Sequence, residues 1–104
     1  MGGTIRNEMT PRPPRLSGRQ FALIGKALAD PHRFEMLKRI AASKDAPTCS
    51  CVCGWLALAP ATVSHHLKEL EAAGLVHIRR EGKFAHITLR REMLDAYIHR
   101  LSTL

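Results

Sequence analysis

The 104-residue chain is sized for one small domain, and its 45% apolar content is ordinary for a folded protein. No apolar run is long enough to span a bilayer and no signal-peptide core follows Met1, which argues against a membrane protein and for a cytoplasmic one, where thiols stay reduced. Sixteen Lys and Arg against nine Asp and Glu leave a formal net charge of +7; this fits a polyanion partner, most simply nucleic acid, and equally a charge that keeps the chain soluble.

Residues 1–17, "MGGTIRNEMTPRPPRLS", hold three of the six prolines, two glycines and three arginines with no apolar period, and read as a flexible basic arm ahead of a domain over 18–104. From Gly18 the spacing changes. Phe21, Ile24 and Leu28 recur at helical intervals, and Leu23 and Ala27 widen their face. Asp30-Pro31 then signals a second helix, with Asp30 as cap and Pro31 in the first position. Phe34, Leu37, Ile40 and Ala41 carry it to the break at "SKDAP" (43–47). A short helix is expected over 49–56, capped by Thr48, with Val52 and Leu56 on one face. Ala57–Ala59 form a tight turn, and Pro60 opens "PATVSHHLKELEAAG", whose stripe is Val63, Leu67 and Leu70 and whose terminator is Gly74. Two short helices joined by a few residues suggest helix-turn-helix geometry.

After Gly74 the period drops to two. "LVHIRR" (75–80) and "KFAHITL" (83–89) read as strands around a Glu81-Gly82 turn. "REMLDAYIHRL" (91–101) is helical again, and its face of Met93, Leu94, Tyr97, Ile98 and Leu101 is wide for a terminal helix on so small a domain, so part of it is expected to meet a partner subunit. The fold class is therefore mainly α with a small β-hairpin, in the order of a winged helix-turn-helix.

A helix whose first turns expose small and polar residues can sit in a major groove. Here those residues are Ala61, Thr62, Ser64, His65 and, one turn on, Lys68. His65 and His66 point about 100° apart on a helix, so one faces DNA while the other packs or meets solvent. Arg79, Arg80 and Lys83 flank the hairpin turn and can neutralise phosphates or enter a minor groove; the bland alternative is a solvated charged hairpin.

The stretches "LADPHRFEMLKRI" and "PATVSHHLKELEAAGLVHIRREGKFAHITL" resemble the ArsR/SmtB family of dimeric bacterial repressors, over roughly residues 18–102. The resemblance implies a homodimer built from the first and last helices and a double-stranded operator with two-fold symmetry, bound without any required cofactor. It also implies that thiols at the start of the helix before the recognition helix bind arsenite, antimonite or a soft metal ion and so release DNA. All three cysteines, Cys49, Cys51 and Cys53, fall there. The family's arsenic pattern is Cys-x-Cys with a third Cys three residues on. Cys51-Val52-Cys53 matches its first part, Leu56 stands in the third place, and Cys49 is an extra thiol.

On a regular helix Cys49 and Cys53 share a face while Cys51 points about 200° away, so three sulfurs converge only if the first turn unwinds. Otherwise two thiols bind and a third ligand comes from the arm or the other subunit. A helix N-terminus favours the thiolate, which is both the soft-metal ligand and the form that oxidises. Thiol-oxidation sensing and an absence of cysteine-based sensing therefore remain as alternatives. The family's other ligand set, between the terminal helices, needs an Asp-x-His pair; Tyr97 stands where the histidine after Asp95 should be, so that site is not expected. An enzyme with a Cys nucleophile would need a base against the thiol and a substrate pocket, for which so small a chain has little room.

Overall fold

The computed structural model describes residues 15–104, so most of the expected arm lies outside the described residues. Local capping chemistry sets the helix starts. Helix α1 (Gly18–Leu28) begins where Ser17 Oγ accepts the Gln20 N–H at 3.1 Å. Helix α2 (Pro31–Ala42) begins at Asp30, whose Oδ1 accepts the N–H groups of His32 at 2.8 Å and Arg33 at 3.1 Å. Pro31 sits in the first helical position, where its missing N–H costs nothing. Helix α3 (Cys49–Leu56) is capped by Thr48 Oγ1, which accepts the Cys51 N–H at 3.3 Å. Ala57 ends α3 in the left-handed region, φ +53°, and turns the chain into helix α4 (Pro60–Ala72).

Gly74, at φ +81°, terminates α4 where a Cβ would lie 2.8 Å from Gln20 Nε2. Strands β1 (Val76–Glu81) and β2 (Phe84–Leu89) pair antiparallel, from Val76 opposite Leu89 to Glu81 opposite Phe84. The turn is therefore Gly82-Lys83, one residue later than its expected position. Gly82 takes φ +60° as the first of two loop residues, the place where a tight hairpin needs a glycine, and that leaves Glu81 in the ladder. Helix α5 (Arg91–Ser102) closes the chain.

The core gathers Ile24 from α1, Met36 from α2, Val52 from α3, Val63 and Leu70 from α4, and Leu75 and Ile87 from the hairpin region, all without exposed surface. On α2 the inward face is Met36, Leu37 and Ile40, while Phe34 is 53% exposed and Ala41 lies outside. Two apolar stripes compete on this helix, and packing against α1 and α4 selects the one carrying Met36.

The segment before α3 is tied to the hairpin. The Ile87 N–H donates to Pro47 O at 2.9 Å, and Thr48 makes an isolated antiparallel bridge to His86. At the other end of the domain, Tyr97 stacks on Phe21 with ring centroids 5.0 Å apart, and the Arg100 guanidinium lies 4.4 Å above the Phe21 ring. Leu16 packs against the core and its carbonyl accepts from Arg100, so Leu16 and Ser17 are held by the domain that follows them. Beyond Tyr97 on α5, Ile98 is 52% and Leu101 is 42% exposed. Among the described residues no helix is long and apolar enough to cross a membrane.

Candidate nucleic-acid interface and cysteine cluster

Helix α4 turns Val63, Leu67 and Leu70 inward, which leaves Ala61, Thr62, His65 and Lys68 exposed and Ser64 half-buried. The adjacent histidines divide as a helix requires. His65 faces out, whereas His66 is 7% exposed. Its Nδ1 lies 3.3 Å from Arg33 Nη1, and its ring meets that of His32 edge-on at 5.9 Å. Burial holds the His66 imidazole below its usual pKa, with the Asp30 carboxylate pulling the other way. His66 is thus a packed group, and His65 is the exposed one of the pair.

Strand alternation separates the wing cations. Arg80 shares the inner face of the hairpin with Ile78, Ala85 and Ile87. Arg79 lies on the opposite face with His77 and His86, and its Nη1 pairs with Glu81 Oε2 at 3.1 Å. A cleft of about 200 Å³ opens between the start of α3, α4 and the inner face of the hairpin, and Cys49, Ser64, Lys68, Arg80, Lys83 and Phe84 line it. The structure therefore gathers Ser64, Lys68, Arg80 and Lys83 around one recess. Thr62, His65 and Arg79 are exposed outside it.

The same cleft reaches the cysteines through Cys49. Helix α3 is regular from Cys49 onward, so Cys49 and Cys53 stand one turn apart on one face, both half-buried. Burial and then the neighbouring Cys53 push the Cys49 thiol up, while Arg80 across the cleft draws it down. Cys51 is exposed on the other side, where Thr48 Oγ1 donates to its Sγ at 3.4 Å and lowers its pKa. The three thiols do not converge. Among the described residues, one group of three or more His, Cys, Asp or Glu has its ligand atoms within 4.8 Å of one another, and it is Asp30, His32 and His66.

Two features of this region leave no trace in the periodicity of the sequence. The Pro47–Thr48 tie to β2 is a single bridge, too short for an alternating pattern. The contact of Arg33 with His66 spans 33 positions and joins two helices that only the tertiary fold brings together.

Residues 28–79 match the family model described as a helix-turn-helix domain. YceK of Bacillus subtilis, an uncharacterized HTH-type transcriptional regulator, is 29% identical over 77 residues, spanning 74% of this chain and 77% of that one. Among solved structures, an ArsR-like transcriptional regulator from Rhodococcus sp. RHA1 superposes with a TM-score of 0.73 at 22% identity, covering 82% of this chain and 78% of that one. The homodimeric winged helix-turn-helix domain of a possible ArsR-family regulator from Mycobacterium bovis gives 0.67 at 24% identity, covering 86% and 88%. The chain therefore belongs to the helix-turn-helix domain family and has the winged fold seen in the ArsR regulators it resembles.

Proposed function

We propose that the chain is a cytoplasmic, homodimeric repressor of a two-fold-symmetric DNA operator, released when arsenite, antimonite or a soft metal ion binds its cysteine cluster. The observation that carries this reading is the shared cleft: Cys49 opens into the recess lined by Ser64, Lys68, Arg80 and Lys83. The residue before it, Thr48, is bridged to His86 of the wing. A ligand that moves the start of α3 therefore moves the groups offered to DNA. In the DNA complex Thr62, Ser64 and His65 read the groove, and Lys68, Arg79, Arg80 and Lys83 meet phosphates. Dimerisation covers the exposed Ile98 and Leu101 on α5 together with α1, which packs beside it through Phe21 and Tyr97.

The inducer first meets the Cys49–Cys53 pair, which already presents two sulfurs on one face. Recruiting Cys51 requires the first turn of α3 to unwind and the Thr48 cap to break. Loss of such a cap costs about 1 kcal/mol, small beside the roughly 10 kcal/mol or more that a multidentate thiolate site gains. Capping therefore does not prevent a three-sulfur site from forming on binding. The exposure of Cys51 favours a second reading, in which oxidation of that thiol is the signal.

The two readings separate by titrating duplex DNA selected by the protein against arsenite, antimonite, Cd²⁺ and peroxide, with anisotropy as readout. Release by arsenite that Cys49→Ser and Cys53→Ser each abolish supports the soft-ligand sensor. Release by peroxide alone, blocked only by Cys51→Ser, supports oxidation sensing. DNA binding indifferent to every one of these agents overturns both.

A further inference from the structure

Away from the cysteines, three side chains with metal-binding chemistry meet where α1, α2 and α4 come together. We propose that Asp30, His32 and His66 form a site for a borderline divalent transition-metal ion of the Zn²⁺, Co²⁺ or Ni²⁺ class. Their ligand atoms all lie within 4.8 Å of one another. Two imidazoles and one carboxylate are a donor set that suits these ions, rather than the soft ions that select thiolates or the hard ions that select all-oxygen cages. Asp30 is already aimed: both of its backbone hydrogen bonds land on Oδ1, which fixes the carboxylate without engaging Oδ2. His66 is held by packing on the inner face of α4, and His32 is exposed in the first turn of α2, so the site is rigid on one side and open to solvent on the other.

Two features oppose a cation there and set its strength. The N-terminus of α2 carries partial positive charge, which the Asp30 carboxylate offsets. Arg33 Nη1 lies 3.3 Å from His66 Nδ1. An ion bound through Nδ1 displaces that contact directly. An ion bound through Nε2 leaves the proton on Nδ1, facing a guanidinium N–H, so Arg33 must turn away in either case. Because the guanidinium is a rigid plane, that turn also strains its bonds from Nε to Ala27 O at 2.9 Å and from Nη2 to Lys26 O at 3.3 Å, which weakens the site further. The ion and Arg33 thus compete for one imidazole, and the site binds less tightly than a structural zinc site. When loaded, it ties the inner face of the recognition helix to the α1–α2 junction. The site stands independently of the repressor reading, since its test reads metal and not DNA.

The test uses tag-free full-length protein with Cys49→Ser, Cys51→Ser and Cys53→Ser, so that no thiol can take the metal. Titration with Co²⁺, followed by its visible ligand-field bands and by calorimetry, should show one ion per chain. His32→Ala alters an exposed side chain and should fold normally by circular dichroism while weakening binding by about tenfold or more. Asp30→Asn keeps a capping oxygen but removes the charge, and should also weaken binding. With Zn²⁺, the imidazole resonances of His32 and His66 should shift while those of His77, His86 and His99 stay in place. The proposal is overturned if the thiol-free protein binds no Co²⁺, if His32→Ala and Asp30→Asn bind it unchanged, or if the shifts fall on other histidines.

Discussion

Replacing Arg80 by Gln removes the one wing cation that strand alternation turns toward α4, where it lines the cleft with Ser64, Lys68 and Lys83. If each Arg80 of a dimer neutralises one phosphate, its loss makes the slope of log affinity against log salt shallower by about 1.8, at roughly 0.9 per released counterion. Between about 50 mM and about 200 mM salt, wild type should therefore lose roughly twelvefold more affinity than the variant. Arg79→Gln is the internal control. Arg79 sits on the opposite face and is paired with Glu81 at 3.1 Å. An exposed pair of that kind is worth only about 0–1 kcal/mol, so it hinders a phosphate contact without forbidding one. The slope change for Arg79→Gln should accordingly be less than half that for Arg80→Gln. Anisotropy titrations of one labelled duplex at several salt concentrations measure both. A folded Arg80→Gln protein with the wild-type slope, or a larger change in Arg79→Gln, would refute the assignment of the inner hairpin face to DNA.

Gly74→Ala places a side chain at φ +81° with its Cβ 2.8 Å from Gln20 Nε2. Because the amide of Gln20 can swing aside, backbone strain dominates, and thermal melting should show a loss of about 1–2 kcal/mol. Ile98→Asp and Leu101→Asp alter side chains that are exposed in the protomer, so sedimentation should show loss of the dimer while the helical circular-dichroism signal persists. Cys51 is exposed and its pKa is lowered, whereas Cys49 is half-buried and its pKa is raised. At neutral pH a larger fraction of Cys51 is thiolate, so mass spectrometry of partly alkylated protein should find iodoacetamide on Cys51 before Cys49; equal labelling would contradict the described orientation of α3.

Much of this fold could be read before any coordinates. Asp30-Pro31, Thr48 before Cys49, Pro60 and Gly74 are local signals that act within a few residues, and each marks the helix boundary it was expected to mark. The period of two expected over 75–80 and 83–89 likewise identified a hairpin, whose strands run Val76–Glu81 and Phe84–Leu89, because alternation is a property of the strand itself. The hairpin turn was misplaced by one residue since Glu81-Gly82 and Gly82-Lys83 are both acceptable pairs, and only the cross-strand partnership of Glu81 with Phe84 distinguishes them.

The sequence by itself determined the order of elements, the helix-turn-helix and the opposition of Cys51 to the Cys49–Cys53 pair, all of which follow from backbone geometry over one or two turns. Tertiary structure alone decided that Met36 rather than Phe34 enters the core and that Cys49 shares a recess with Arg80. It also brought His32 and Asp30 against His66. Each of these depends on how one helix is rotated against another. That rotation is set by the summed packing of many distant side chains, which no local pattern records.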